Sequence, residues 1–236
     1  MTMRAAHGQE APNQYQPLNA QAGDAPVTLH DHLRALQSCS ARRQFARNET
    51  IFSEGDSADY VHKIVSGTVR ICRHAADGRR NIAEFLLPGD LLGFQECADQ
   101  PATAEAVTEV TLISDPRNRF DRLAESSAAV RSRLLCHLSA NLLEAQHHLF
   151  VLGCQCAKER VASFLLRLAD RTDIFQGDRL DLTMGRQDIA DHLGLTIETV
   201  CRAISVLRGE GVVTVPNSHQ IIINDMAALR VLAVEV

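Results

Sequence analysis

No apolar run in this 236-residue sequence approaches the roughly 18 to 20 residues needed to span a bilayer, and the opening MTMRAAHGQEAP lacks the apolar core of a signal peptide. The expectation is a cytoplasmic protein with no membrane partner. An excess of positive charge is missing as well: 24 Lys and Arg stand against 29 Asp and Glu, a formal net charge of -5. From Lys158 onward nine basic side chains still meet eleven acidic ones, so any contact with nucleic acid must act through a local patch rather than bulk charge. A disulfide framework is not expected either. The seven cysteines are an odd number in a chain read as cytosolic, which points to buried thiols or to redox and metal chemistry. What is present, 45% hydrophobic and 22% charged residues, excludes a wholly disordered chain and allows one large or two modest domains.

Four segments follow from the patterning. Residues 1–27, rich in Ala, Gln, Asn and Pro, read as a disordered arm. Residues 28–118 carry short apolar runs (YVHKIV, TVRICR, NIAEFLL, AVTEVTLIS) punctuated by Gly55, Gly67, Gly78, Gly89 and Gly93, the pattern of an antiparallel barrel or sandwich. Asp77-Gly78 predicts a tight hairpin with a primed turn, and Pro88-Gly89-Asp90 a second turn. Residues 119–156 predict a long helix on which Leu135, Leu138, Leu142, Ala145, Leu149, Leu152 and Cys156 alternate steps of three and four. Such a seam over about three heptads suits a coiled-coil homodimer interface, although packing on the barrel would produce the same periodicity. Residues 157–236 hold an amphipathic helix from Lys158 to Arg171, then two short helices and a hairpin.

The two short helices carry the chemistry. The first spans Arg186 to Leu193 with Ile189, Ala190 and Leu193 on its apolar face; Gly194 then suits a left-handed closing residue, and Thr196 suits the cap of the next helix. On that second helix, Ile197 to about Arg208, burial of Val200, Ala203, Ile204 and Leu207 leaves Ile197, Glu198, Cys201, Arg202 and Ser205 outside. A tight helix pair with a short polar face at the start of its second helix matches the geometry that enters a DNA major groove. Arg202 can bond guanine O6 and N7, and Glu198 can accept from cytosine N4. Thr196, Thr199 and Arg186 are placed for phosphates, and Val212 to Ile223 reads as a wing. A plain structural helix pair, with Glu198 and Arg202 as a surface ion pair, is the competing reading of these residues alone.

The order of parts, together with Glu54-Gly55-Asp56, Ser66-Gly67-Thr68-Val69-Arg70, Asp77-Gly78-Arg79-Arg80, Pro88-Gly89-Asp90, Arg186-Gln187-Asp188-Ile189-Ala190, Leu193-Gly194-Leu195-Thr196 and Glu198-Thr199-Val200-Cys201-Arg202, resembles the CRP/FNR superfamily of bacterial regulators over about Leu29 to Ile223. The resemblance implies an α+β fold: an N-terminal cyclic-nucleotide-binding-like β-roll (jelly roll), a long dimerisation helix and a C-terminal winged helix-turn-helix. It implies a homodimer on double-stranded DNA, with RNA polymerase as a partner, and Glu198 and Arg202 reading TTGA-type half-sites in an inverted repeat. Ile197 stands where CRP-like members carry a further base-contacting Arg, which moves the reading towards the FNR and FixK branch.

Cofactors are expected to be absent. The cassette that binds cyclic nucleotide in relatives corresponds to Gly93 to Glu105, which holds three acids and no Arg or Lys, so cAMP would meet repulsion. No cysteine precedes Cys39, whereas an iron-sulfur cluster needs about four thiolates. Cys154 and Cys156 read as packing residues on the long helix. Cys72 and His74, two apart on a strand, share a face and could ligate haem or a metal; without further ligands at suitable spacing they read as a barrel cysteine beside a surface histidine. An enzyme of the cupin kind would need a His-rich metal set, and the barrel offers only His62 and His74. There remains a FixK-like regulator without a built-in cofactor, whose activity follows its abundance and whose relatives control low-oxygen respiration, denitrification or nitrogen fixation. Two departures stand in the reading head: Gly185 replaces the usual Ser cap, and Cys201 replaces a usual Ser, making it a candidate redox site beside Arg202.

Overall fold

The structure is a computed structural model that describes residues 41–95, 97–171 and 175–233. The arm expected at residues 1–27 and Cys39 lie outside this range. Among the described residues eight strands come first: β1 (Ala41–Phe45), β2 (Thr50–Phe52), β3 (Tyr60–Ser66), β4 (Val69–His74), β5 (Arg80–Leu86), β6 (Leu91–Leu92), β7 (Thr103–Ala106) and β8 (Val110–Pro116). They pair into two four-stranded sheets, ordered β1-β8-β3-β6 and β2-β7-β4-β5, with every ladder antiparallel. Alternation along each strand sends Phe45, Ile51, Ile64, Val69, Leu86, Ala104, Ala106, Val110 and Leu112 into the space between the sheets, the β-roll core. Gly67, at the turn from β3 to β4, has φ +87°, and a Cβ there would run into the Glu109 carbonyl oxygen, so both conformation and space demand glycine.

The β4–β5 hairpin differs from the primed turn expected at Asp77-Gly78. Its loop is residues 75–79, closed by Gly78 N–H to Ala75 O and Ala75 N–H to Arg79 O, both 2.9 Å. Gly78 has φ +83°, but Asn48 is the only described non-glycine with positive φ, so Asp77 keeps an ordinary backbone. Its carboxylate instead accepts from the Arg79 backbone N–H at 3.1 Å and from Arg79 Nε at 2.7 Å, a local turn that fixes the longer loop.

Helices follow: α1 (Arg117–Ser126), α2 (Ala128–Cys154) and α3 (Ala157–Ala169). Phe120 of α1 packs on Val61, Leu91 and Phe94 and so ties the helix to the β-roll. Ser127 then leaves helical backbone and its hydroxyl accepts from Val130 N–H, which starts α2 afresh. The stretch read as one helix is therefore two, and α2 ends at Cys154. Gln155 is extended and Cys156 is the N-cap of α3, so Cys156 belongs neither to α2 nor to its seam. The side chain of Gln155 explains the break: its amide donates to Ala233 O at 2.6 Å and accepts from the Ser163 hydroxyl at 2.8 Å, pinning the chain where α2 hands over to the next domain.

That domain contains β9 (Phe175–Gln176), β10 (Arg179–Asp181), α4 (Arg186–Leu193), α5 (Ile197–Gly209), β11 (Val213–Asn217), β12 (Gln220–Ile223) and α6 (Met226–Ala233). Its sheet order is β11-β12-β10-β9, and its core joins Val161 and Leu165 of α3 to Ile189, Leu193, Val200, Leu207, Ile221 and Leu229. Of the 27 residues in α2, by contrast, only Val130 and Val151 are buried. Leu135, Leu138, Leu142, Ala145 and Leu149 face outward and Leu152 is half-buried. Leu143 and Phe150, seven apart beside this seam, are exposed as well. Among the described residues no helix is long and apolar enough to cross a membrane.

Candidate nucleic-acid interface

The helix pair α4–α5 is built by local chemistry. Gly194 closes α4 at φ 61°, ψ 38°, the left-handed conformation that glycine adopts without penalty, and Leu195 N–H returns to Ala190 O at 3.0 Å. Two residues later Thr196 caps α5, its hydroxyl accepting from Thr199 N–H at 3.2 Å and lying 3.0 Å from the Thr199 hydroxyl. Val200, Ala203, Ile204 and Leu207 are buried, which leaves Ile197, Glu198, Cys201, Arg202 and Ser205 exposed. Glu198 is held below the usual carboxylate range by its own backbone N–H, then by the Thr196 hydroxyl and by Arg202 one turn on. The outer face thus presents a fixed anion and a cation four residues apart. At the other end of the pair, Gly185 caps α4 without a side chain, and Asp188 Oδ2 compensates by accepting from Gly185 N–H at 3.2 Å.

Arg186 sits differently from its expected outward pose. It is half-buried next to Cys201, burial holds its guanidinium below the usual value, and its Nη1 has no hydrogen-bond partner among the described residues. That Nη1 is itself buried, so it faces the protein interior beside the Cys201 thiol and not the solvent.

Sequence reading missed what holds the helix pair in place. Arg70 of β4 and Arg80 of β5 reach across to α4: Arg70 Nη1 donates to Asp188 Oδ1 at 3.2 Å, and Arg80 donates from Nε and Nη2 to Asp191 Oδ2 at 2.8 and 2.7 Å and from Nη2 to Asp188 Oδ1. Arg70 is shared with Glu105 of β7, its Nε lying 2.7 Å from Oε2. All five side chains are less than one-fifth exposed. Beside them Thr68 donates to the Thr183 hydroxyl at 2.9 Å, and the His192 Nδ1–H donates to Ile82 O at 3.0 Å. His192 stacks on His148 of α2 at 4.3 Å and touches Phe85 and Phe164; burial, then the His148 neighbour, pushes its pKa down to about 3, so it is neutral. Arg70, Arg80 and Asp188 all lie in the motifs quoted above, which is the trace this clamp leaves in the sequence.

Comparison with known proteins accords with this architecture. Residues 42–127 match the cyclic nucleotide-binding domain family and residues 159–232 the Crp-like helix-turn-helix domain family. The chain is 43% identical over 189 residues to the nitrogen fixation regulation protein FixK of Azorhizobium caulinodans, covering 79% of this chain and 76% of that one. It belongs to the CRP/FNR family of transcription regulators. Within the CRP/FNR family it is also 41% identical to FixK of Rhizobium meliloti, across 76% of this chain and 81% of the relative. The solved structure of FixK2 from Bradyrhizobium japonicum superposes with a TM-score of 0.80 at 32% identity, covering 84% of this chain and 98% of FixK2. The chain is thus a FixK-like CRP/FNR regulator with a DNA-binding helix-turn-helix, and the α+β arrangement read from the sequence is the one found.

Proposed function

We propose that this regulator is a cytoplasmic, non-enzymatic homodimer that binds TTGA-type inverted repeats and recruits RNA polymerase to genes of low-oxygen respiration, denitrification or nitrogen fixation. The observation that carries the reading is the exposed Glu198–Arg202 pair on the first two turns of a helix whose opposite face is wholly buried. Arg202 bonds guanine and Glu198 accepts from cytosine on the opposing strand, with Ile197 supplying apolar contact in place of a third polar reader. Thr196, Thr199 and the N-terminus of α4 at Arg186 hold phosphates. The outward Leu135, Leu138, Leu142 and Leu149, continued by half-buried Leu152, provide the dimer seam, because a helix in water must bury such a stripe. Fluorescence anisotropy with a TTGA inverted repeat tests this: Arg202→Ala removes one bidentate base contact of about 1–3 kcal/mol from each of two half-sites, so binding should weaken at least about 30-fold. Equal losses on scrambled DNA would show that Arg202 contacts backbone and not base.

No cyclic nucleotide is needed in this reading. The cavity beside the Gly93–Glu105 stretch, bordered by Phe52, Ile71, Leu86, Leu92, Phe94 and Gln100, has a volume of about 50 Å³, against several hundred for a site enclosing a molecule of nucleotide size. A second reading concerns Cys201. Its exposed thiol lies on the outer face of α5 beside Arg202, so an oxidised, anionic sulfur would set negative charge against the DNA phosphates, and DNA affinity would fall under peroxide.

A further inference from the structure

Strand register brings a third side chain to Cys72 and His74. Cys72 pairs with Thr103 and Arg70 with Glu105 on the adjacent β7, so Glu105 lies beside the Cys72–His74 face. The donor atoms of Cys72, His74 and Glu105 all lie within 4.8 Å of one another. Cys72 is fully buried, Glu105 nearly so, and His74 is half-exposed at the end of its strand, free to adjust. The Glu105 oxygens are already sorted: Oε2 accepts from Arg70, while Oε1 faces His74 Nε2 at 4.0 Å.

We infer that Cys72, His74 and Glu105 form a binding site for a thiophilic divalent cation of the zinc class. One thiolate, one imidazole and one carboxylate form a donor set suited to zinc or cobalt and unsuited to magnesium or calcium. Tetrahedral zinc keeps its donors about 3.3–3.6 Å apart, so these three must close by about an ångström, and the fourth position stays open to water. Charge favours the same ion. Arg70 and Arg80 meet Glu105, Asp188 and Asp191, leaving one negative charge over. Binding releases the Cys72 thiol proton to solvent, which makes the excess two, and a divalent cation cancels it. The site also touches the clamp: Glu105 is shared with Arg70, which holds Asp188 of α4, so occupancy alters the hold of the β-roll on the DNA-reading domain.

Cobalt(II) titration of the reduced, metal-free full-length protein tests the site. One cobalt per chain should bind, with a thiolate-to-metal charge-transfer band and tetrahedral visible bands, and zinc should displace it. Cys72→Ser should abolish the charge-transfer band, and His74→Gln, a substitution at a half-exposed position, should weaken cobalt binding at least tenfold. A variant with Cys72 as its sole cysteine should retain the spectrum. The site is refuted by an absent band, by a band that survives Cys72→Ser or vanishes in the Cys72-only variant, or by unchanged affinity in His74→Gln.

Discussion

Replacing Arg80 by Met removes the guanidinium that holds both Asp188 and Asp191 while keeping most of the aliphatic volume. Two carboxylates, each only 13% exposed, are then left with Arg70 on Asp188 and the Gln187 amide on Asp191, 2.7 Å away. Breaking one side of a buried ion network costs about 3–5 kcal/mol when the abandoned charge has nothing else. Here those remaining partners and the partial exposure bring the cost down to or below the lower end, about 2–3 kcal/mol. For a chain of this size that is a fall of roughly 5–10 °C in the melting temperature of the docked arrangement, and calorimetry should resolve two transitions as the domains uncouple. Neutralising the stranded partners in Arg80→Met/Asp188→Asn/Asp191→Asn should recover part of the loss, because the unpaired charges cause most of it. A melting temperature within 2 °C of wild type in Arg80→Met, or a triple variant no more stable than the single one, would show that the clamp does not couple the domains.

Other parts of the structure give sharp expectations. Leu142→Asp places a charge in the middle of the exposed seam and should convert the dimer to monomer by sedimentation, with a loss of operator affinity far larger than at a single base contact. His192 has its pKa depressed to about 3 from an unfolded value of about 6.5, so the unfolded state binds more protons between these values and stability falls as pH drops below about 6.5. Between pH 7 and pH 5 this removes about 2 kcal/mol, and His192→Asn should flatten that part of the denaturant-measured pH profile. His62, depressed to about 4, contributes a slope common to both proteins and cancels in the difference. Peroxide should lower operator affinity in wild type and leave Cys201→Ser unaffected; equal sensitivity in both would remove Cys201 as the redox site.

The face that α5 buries was legible because helical spacing is a local property, and Gly194 and Thr196 declare a left-handed stop and a cap by residue type alone. The outward leucines of α2 were legible for the same reason. The column of Cys136, Leu143 and Phe150 beside them was missed, although its seven-residue spacing is just as local. What escaped depends on partners far along the chain. Asp188 meets an arginine 118 residues away, and nothing in the periodicity of either segment announces it. Glu105 joins Cys72 and His74 only because β7 pairs with β4, a register that composition does not reveal. The acidic surplus of the C-terminal third also changes meaning: Asp188 and Asp191 are neutralised by Arg70 and Arg80 of the β-roll. Cys156 was misplaced because the Gln155 side chain, bonded to Ala233, ends α2 two residues early.

As the proposed dimer seam, the bare leucine stripe on α2 would also set how the regulator responds to supply. Where single chains predominate, the concentration of pairs rises as the square of the number of chains, so doubling synthesis gives about four times as many operator-competent molecules. On the proposed function, in which no small molecule switches the regulator on, this helix would give it a threshold sharper than its own rate of production.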